Sequence, residues 1–346
     1  MRLSSSTSSS SEYATFAWKL LVLCSLAFVF DRFAGALAEY YYMRTTDGDT
    51  GGQLNGLLQA HSDVVVFGSS RAESHYVPDV MSEEMGASFF NAGFKGSNVL
   101  YDYGAEQLVF DEYTPKLIIY DFSPLAVSVQ KSDSYERLYP LYPYWKHASV
   151  WNLISEVGWP RTTFFLSRLY PYNSKIHSIV IFNVIEHRPR SASGYVAQTS
   201  AMGDAQLGEL PGRAGRYDPN LAEHMVKFIE SAHERGVKLV VVTSPRYATG
   251  KYFLPAPVNA KLAALGVPAL DFDVDSYPQF RDRRYFRDRD HLNHEGARLF
   301  SHLLGERLHS MWPELSRPDT RINAQRRLDG RDSAPARRCC IDRSSP

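Results

Sequence analysis

The sequence predicts an α/β protein with a central parallel sheet of about five strands, preceded by one N-terminal transmembrane helix. From residue 62 onward, short apolar runs that end in glycine or polar residues alternate with segments of helical periodicity. Parallel strands are buried on both faces and are joined by helical crossovers, so this alternation is typical of a sheet covered on both sides. A long apolar stretch near the N-terminus is the basis of the membrane prediction.

The N-terminal apolar stretch is interpreted as an uncleaved signal anchor over residues 13–39, which follows a polar, serine-rich leader of residues 1–12. Its most apolar part, residues 20–30, has a length that suits either the hydrophobic region of a signal peptide or a short anchor. A cleaved signal peptide and a buried amphipathic helix are therefore alternatives. No Ala-x-Ala site directly follows residue 30, which favours the anchor over cleavage.

A lysine near the start of the anchor and three tyrosines after its end indicate its orientation. Lys19 is expected to reach the cytoplasmic surface of the inner membrane, and Tyr40, Tyr41 and Tyr42 are expected to form an aromatic belt on the opposite side. The predicted α/β domain would then lie outside the cytoplasm, which means the periplasm in a Gram-negative cell. The expected localisation is that of a single-pass membrane protein.

Each element of the α/β part has its own sequence signal. Asp218 is a favoured N-cap with Pro219 in the first helical position, and Gly236 ends the same helix. Strands are predicted from short runs of β-branched and other apolar residues. The predicted strands are residues 63–67, 88–91, 116–122, 238–243 and 268–271. The predicted helices are residues 98–113, 150–169, 219–235, 258–265 and 294–308.

The predicted α/β domain covers residues 62–315 and contains an insertion or cap at residues 125–215, where the alternation stops. Tyrosine, tryptophan and proline are concentrated between residues 135 and 145. These aromatics either stack on sugar rings or pack the insertion onto the core, and packing is the favoured interpretation. Residues 316–346 hold eight arginines and four aspartates with almost no large apolar side chains, so a disordered tail is predicted there.

Composition excludes several classes of function. Lys and Arg together number 38, and so do Asp and Glu, so the chain lacks the basic excess typical of nucleic-acid binding. The three cysteines lie near the two ends, which argues against a disulfide framework and against a cysteine zinc site. The sequence contains neither a GxGxxG nor a Walker motif, so a nucleotide site is not indicated. No cofactor and no nucleic-acid partner are expected.

The candidate chemistry begins where the first predicted strand ends, at Gly68, Ser69 and Ser70. A serine at a strand-to-helix turn exposes its hydroxyl above the edge of the sheet, near the positive end of the following helix. Such a position suits a nucleophile. The alternative role for either serine is that of an ordinary helix cap.

A second candidate group precedes the last predicted helix. Asp288 and His291 are three residues apart, so the carboxylate can reach Nδ1 of the imidazole and leave Nε2 as a base. Two other interpretations are open: a metal site that also uses Asp290 and His294, or a charged surface loop in which Asn293 caps the helix. No metal site is predicted, because a metal would leave the serine turn unexplained.

A third candidate segment follows the second predicted strand. Residues 91–98 contain Gly93 and Gly96, and a glycine there lets the backbone approach a ligand closely. A backbone amide in this turn is suited to bind a developing oxyanion. Taken alone, the glycine pair indicates only a turn.

Together, the three segments resemble the SGNH (GDSL-like) hydrolase superfamily. The resemblance is strongest to its envelope-associated branch of acyltransferase-like and esterase-like proteins, and it covers roughly residues 62–122 and 217–309. It implies a flavodoxin-like three-layer fold, in which helices lie on both faces of the sheet.

The resemblance also implies roles for individual residues. It assigns Ser70 as the nucleophile, with Ser69 in the place of the usual aspartate of the Gly-Asp-Ser motif. Asp288 and His291 match the Asp-x-x-His pair of the superfamily. Gly96 matches its oxyanion glycine, and the Ser70 amide would be a second oxyanion donor.

One departure from the superfamily pattern concerns the third oxyanion donor. An asparagine is usual after the third strand, but this chain has Asp121, Phe122 and Ser123 there. Ser123 and Asn98 are weak substitutes and are candidate substrate-binding residues only. Loss of one such donor typically costs about 10²–10³ in rate. The departure fits a specialised acyltransferase better than a fast esterase, and it equally fits an inactive relative.

The resemblance and the anchor together imply a membrane-anchored serine esterase or O-acyltransferase that acts on acyl esters of extracytoplasmic carbohydrate. The expected partners are an acyl-ester or glycan substrate, the inner membrane, and envelope polysaccharide machinery. The alternative is a catalytically inactive binding module in an envelope or exopolysaccharide assembly.

Overall fold

A parallel β-sheet is the central feature of the protein, described here by a computed structural model. The structure describes residues 9–46, 51–129, 136–156, 162–184, 193–203, 216–247 and 252–316. The strands within these ranges are β1 Val64–Gly68, β2 Phe89–Asn91, β3 Leu117–Asp121, β4 Ser128–Val129, β5 Arg216–Tyr217, β6 Lys238–Thr243 and β7 Ala269–Asp271.

Five of these strands form the parallel sheet, in the order β2-β1-β3-β6-β7. The short strands β4 and β5 form a separate antiparallel pair. If only the sheet strands are counted, the order is that of flavodoxin-like folds, in which the second strand lies at the edge beside the first. The predicted α/β fold with five parallel strands is therefore confirmed.

Helices cover both faces of the sheet and create two hydrophobic cores. The helices of the described residues are α1 Ser9–Tyr42, α2 Gly52–Ala60, α3 Ser70–His75, α4 Pro78–Met85, α5 Val99–Glu112, α6 Ala148–Glu156, α7 Thr162–Leu166, α8 Ile176–Val184, α9 Pro219–Glu234, α10 Ala256–Leu265 and α11 His294–Met311. Side chains of α2, α5, α9 and α10 fill the core on one face, and those of α3, α4 and α11 fill the other. The packing buries the apolar faces of α9 and α11, which show helical periodicity.

Most helix boundaries follow their local signals. Asn98, Asp218 and Asn293 cap α5, α9 and α11 through hydrogen bonds that their side chains accept from backbone amides. The prediction of one helix over residues 150–169 is corrected at its C-terminal end, because α7 ends at Leu166 and residues 167–169 are not helical. Residues 157–161 lie outside the described residues.

Helix α1 continues from an exposed apolar segment into the folded domain. Its side chains are exposed from residue 11 to residue 30, which does not fit a buried amphipathic helix. Farther along, Gly35 packs against Arg168, and a Cβ at Gly35 would lie 2.6 Å from the Arg168 carbonyl carbon. Among the described residues, the segment Ser11–Tyr42 is long and apolar enough to cross a membrane.

The end of α1 corrects one expectation about the aromatic belt. Tyr42 is fully buried, and its ring lies 6.4 Å and 5.6 Å from the rings of Tyr144 and Tyr172. Tyr42 therefore belongs to the core of the domain and not to a membrane interface. Tyr40 and Tyr41 are exposed.

The described parts of the insertion pack on the core. Tyr142 and Tyr144 are buried, and Leu138, Leu141 and Val150 join the same cluster as the sheet strands. This arrangement supports packing as the role of the aromatic-rich segment. The predicted tail lies outside the described residues, apart from its first residue.

A lysine is buried among the aromatics of the insertion. Lys175 is fully buried, and its Nζ donates a hydrogen bond to the Pro171 carbonyl oxygen at 3.1 Å. The same Nζ lies 5.3 Å and 5.7 Å from the ring centres of Tyr139 and Tyr142. Burial lowers the pKa of the Lys175 amine to about 7, because the charged form loses its hydration.

Replacing Lys175 with methionine is expected to change how stability depends on pH. In the folded state the amine is protonated only below about pH 7, whereas its ordinary pKa is 10.5. Between these values the unfolded state binds more protons, so the wild type gains stability as pH rises. From about pH 7 to about pH 10 the gain is on the order of 3 kcal/mol, and Lys175→Met should lack it. Urea unfolding measures the difference, and parallel pH dependences of the two proteins would contradict the prediction.

Candidate active site

The candidate site lies at the carboxyl edge of the sheet. Ser70 begins α3 directly after β1, and the turn that contains Gly96 follows β2. Asp288 and His291 lie in the loop before α11. The carboxyl ends of parallel strands meet at one edge, which is where ligands of such sheets bind.

Ser70, His291 and Asp288 form a continuous chain of hydrogen bonds. Ser70 Oγ lies 2.8 Å from His291 Nε2. On the other side of the ring, His291 Nδ1 lies 2.9 Å and 3.1 Å from the two carboxylate oxygens of Asp288. With the ring proton on Nδ1, Nε2 can accept the proton of the hydroxyl. This is the arrangement of nucleophile, base and orienting acid found in serine hydrolases.

The carboxylate of Asp288 is stabilised in its charged form. The backbone amides of Asp290 and His291 each donate a hydrogen bond to Asp288 Oδ1 at 2.9 Å. Burial raises the pKa of this carboxyl, but the hydrogen bond and charge of the His291 ring, together with the two amides, outweigh burial and lower the pKa. A charged Asp288 orients the imidazole and selects its tautomer.

The structure distinguishes the two neighbouring serines. Ser69 is at the N-cap position of α3, but its side chain makes no capping hydrogen bond. Ser70 is the first residue of the helix, and its hydroxyl points to the imidazole of His291. The ordinary helix cap is therefore not the role of the Ser70 hydroxyl.

The turn after β2 is attached to the turn after β1. Phe94 N and Ser97 Oγ both donate hydrogen bonds to the Gly68 carbonyl oxygen, at 2.9 Å and 3.2 Å. Gly93 passes so close to α3 that a Cβ there would overlap the backbone nitrogen of Glu73. A glycine at position 93 is thus required for the two turns to meet.

Gly96 is the better oxyanion candidate of the two glycines. The Gly93 amide donates a hydrogen bond to Asn91 Oδ1 at 3.0 Å, so it is not available to bind an oxyanion. Gly96 has a φ of +79°, which favours glycine, and its carbonyl oxygen accepts a hydrogen bond from Arg137. Among the described residues, no group accepts a hydrogen bond from the Gly96 amide.

Asn98 and Ser123, the two weak substrate-binding candidates, are both buried. Asn98 is 2% exposed and Ser123 is 5% exposed. The Asn98 side chain caps α5 by accepting from Leu100 N at 3.1 Å. Burial to this degree argues against direct contact with a substrate and gives Asn98 a structural role.

A buried arginine, not anticipated from the sequence, follows Ser70. Arg71 Nε lies 3.5 Å from Asp121 Oδ2 at the end of β3. Its Nη2 donates hydrogen bonds to the Ser244 carbonyl oxygen and hydroxyl, at 2.5 Å and 2.7 Å, just after β6. Burial alone would lower the pKa of the guanidinium, but the charge of Asp121 raises it. Arg71 therefore joins α3 to the ends of two strands as a charged group.

A buried histidine, also not anticipated, connects α3 to the loop of His291. His75 Nε2 accepts a hydrogen bond from Leu292 N at 2.9 Å, so the ring proton lies on Nδ1, which donates to Ser244 Oγ at 2.8 Å. Burial, together with the neighbouring positive guanidinium, lowers the pKa of His75 well below its ordinary value. The neutral ring thus holds the backbone beside His291 against the helix that carries the serine.

The sequence does contain a signal for these residues. Arg71 and His75 lie in the short helix that begins at the candidate nucleophile, and Asp121 and Ser244 stand where two apolar strands end. Charged and polar residues at the carboxyl ends of parallel strands are expected to meet. Their pairing still depends on which strands are neighbours, which the sequence pattern does not specify.

Replacing Arg71 with methionine is expected to lower the free energy of unfolding by about 3–5 kcal/mol, because the Asp121 carboxylate would stay buried without a charged partner. The Asp121 side chain is 0% exposed. Adding Asp121→Asn to Arg71→Met removes that charge and should recover part of the loss. Urea unfolding measures both variants. Wild-type stability of Arg71→Met, or a double variant less stable than the single one, would contradict this interpretation.

The four alternative metal ligands do not converge. His294 Nδ1 lies 2.9 Å from Tyr195 Oη, so its ring has a different partner from the ring of His291. Within the described ranges, the group whose ligand atoms are close enough for an ion consists of Glu84, His302 and Glu306. That group lies on α4 and α11 and does not include the residues of the candidate site.

Fold and site together define the protein as an α/β protein with a hydrogen-bonded serine, histidine and aspartate at the carboxyl edge of its sheet. No protein-family model matches the chain, and no curated protein matches it significantly. Any more specific assignment of its function therefore depends on the geometry of the site.

Proposed function

We propose that the protein is a membrane-anchored serine esterase or O-acyltransferase of the SGNH type. The observation that carries the proposal is the hydrogen-bonded chain from Ser70 through His291 to Asp288. The flavodoxin-like strand order and the turn at Gly96 are consistent with this class.

In the proposed reaction, His291 Nε2 takes the proton of Ser70 as Oγ attacks the carbonyl carbon of an acyl ester. The ester C–O bond then breaks, and His291 gives the proton to the leaving alcohol, so that the acyl group remains on Ser70. A sugar hydroxyl or water attacks this acyl-enzyme, and its proton passes through His291 back to Ser70. Asp288 stabilises the positive imidazolium in both halves of the reaction.

The negative charge that develops on the carbonyl oxygen requires hydrogen-bond donors. The proposed donors are the amides of Gly96 and Ser70. A third donor at the end of β3 is not available from Asp121, because its carboxylate, paired with Arg71, has no hydrogen to donate. One missing donor typically lowers the rate by about 10²–10³, so a slow and specialised enzyme is expected.

The proposed location and substrate depend on α1 and on the resemblance. We infer that the α/β domain lies outside the cytoplasm and that the acyl donor or acceptor is an envelope carbohydrate, with polysaccharide machinery as a partner. The exposed apolar half of α1 supports the anchor. The buried aromatics of the insertion add no support for a glycan.

Fluorophosphonate labelling of the purified full-length protein tests the proposal. The wild type should be labelled, Ser70→Ala should not, and Ser69→Ala should keep the label as the matched control. A label that is lost in Ser69→Ala but kept in Ser70→Ala would place the nucleophile at Ser69. A folded wild type that does not react, but binds glycan in calorimetry, would favour the inactive binding module.

A further inference from the structure

The apolar segment of α1 ends at a residue that binds the insertion. Asp31 is the first acidic residue after the apolar run. Its carboxylate accepts hydrogen bonds from the amides of Arg168 and Leu169, at 2.8 Å and 3.3 Å, and from the Ser167 hydroxyl. The loop after α7 is therefore attached to α1 at the end of its apolar segment.

The next residue of α1 extends this attachment to the end of α7. Arg32 Nη2 donates hydrogen bonds to the carbonyl oxygens of Phe165 and Leu166, at 3.1 Å and 2.8 Å. Two consecutive residues of α1 thus bind the backbone of residues 165–169. The backbone of Phe165 and Leu166 therefore lies next to the point where the apolar part of α1 ends.

The height of this attachment can be estimated from helix geometry. An α-helix rises 1.5 Å per residue, so the exposed residues 11–30 span about 30 Å, which is the thickness of the hydrocarbon core of a bilayer. This span ends earlier than the predicted anchor of residues 13–39, and it places Lys19 within the membrane, from where its long side chain extends toward the cytoplasmic surface. If α1 crosses the membrane, Asp31 and Arg32 lie at its surface. The backbone that they bind then lies in the interfacial layer, at the level of the lipid headgroups.

The side chains at this height are apolar and exposed. Phe165 is 61% exposed and Leu166 is 72% exposed. The Phe165 ring also lies 5.5 Å from the rings of both Trp145 and Trp151, and tryptophan is enriched at membrane interfaces. Exposure of these apolar side chains to water is unfavourable, whereas their insertion into the interfacial layer of a bilayer is favourable.

We propose that Phe165 and Leu166 form a membrane foot, which inserts into the interfacial layer of the bilayer that α1 crosses, on the side of the α/β domain. The foot and α1 give the domain two separate contacts with the same leaflet. Two contacts restrict the tilt and rotation of the domain about α1. The inference rests on the proposed membrane anchor, and it does not depend on the proposed chemistry.

Spin labels on the full-length protein in nanodiscs of phosphatidylglycerol and phosphatidylcholine test the foot. In a background with the three native cysteines replaced by serine, a nitroxide is attached at Leu166→Cys, at Leu23→Cys within the apolar part of α1, or at Phe253→Cys. Phe253 is 83% exposed and neighbours β7, so it is the matched aqueous control. Because Leu166 is exposed, its replacement should leave the thermal unfolding midpoint unchanged.

The measured quantity is the accessibility of each label to oxygen, which partitions into lipid, relative to a water-soluble nickel chelate. The oxygen-to-nickel ratio at 166 should be several-fold higher than at 253 and lower than at 23. A ratio at 166 equal to that at 253, with a lipid-like ratio at 23, overturns the foot and leaves the anchor. Aqueous ratios at both 23 and 166 overturn the foot and the anchor together.

Discussion

Removing Ser70 or His291 is expected to lower acyl-ester turnover by about 10⁵-fold or more, and removing both should lower it no further. The two side chains act as one unit, because Oγ becomes a nucleophile only when Nε2, 2.8 Å away, takes its proton. After either change, the remaining rate would come from substrate binding and the oxyanion amides alone. Turnover of p-nitrophenyl acetate by the full-length protein measures the effect.

The comparison of single and double variants makes this expectation specific. Ser70→Ala, His291→Ala and the double variant should share one residual rate, whereas Ser69→Ala should stay near the wild type. Independent contributions would instead multiply, and the double variant would then be slower than either single variant. Such a result would exclude a joint role of the two side chains in one proton transfer.

Replacing Asp288 with asparagine is expected to lower kcat by about 10³–10⁴-fold with little change in KM. The carboxylate now accepts from His291 Nδ1 at 2.9 Å and compensates the imidazolium charge. An amide at this position would supply no negative charge, and by donating to Nδ1 it would favour the tautomer that cannot act as a base. The expected loss is therefore one of catalysis and not of binding.

Asp290→Asn is the matched control for this change. Asp290 supports Asp288 through its backbone amide, and that hydrogen bond does not depend on the Asp290 side chain. Its replacement should leave kcat close to the wild type. Equal losses in the two variants would show that the net charge of the loop matters, and would contradict a specific role for Asp288.

The network around Arg71 and His75 explains why the candidate site needs more than three residues. Ser70 and Leu292 belong to segments that are far apart in sequence, and His75 joins them through one neutral ring. Arg71 joins the same helix to the ends of β3 and β6. A shift of about 1 Å in such a supporting group can cost about 10²-fold in rate, so the network would help to hold the serine and the histidine at reacting distance.

Local signals were sufficient for the strands of the parallel sheet. All five predicted strands agree with the sheet within one residue at each end. Four of them are buried, and a buried parallel strand is a continuous apolar run. The edge strand β7 is largely exposed. The caps at Asp218 and Asn293 are also local, since each side chain binds an amide within three residues. The pair of Asp288 and His291 was predictable for the same reason.

Contacts between segments that are distant in sequence were revealed only by the tertiary structure. The hydrogen bond from Ser70 to His291 spans 221 positions, so the choice of Ser70 over Ser69 could not be made from local spacing alone. Tyr42 follows Tyr40 and Tyr41 in one helix, yet only packing against the insertion shows that it is buried. The partners of Arg71 and His75 depend on which strands are neighbours. Apolar periodicity is a property of each segment, whereas the partner of a buried polar group depends on how the segments pack together.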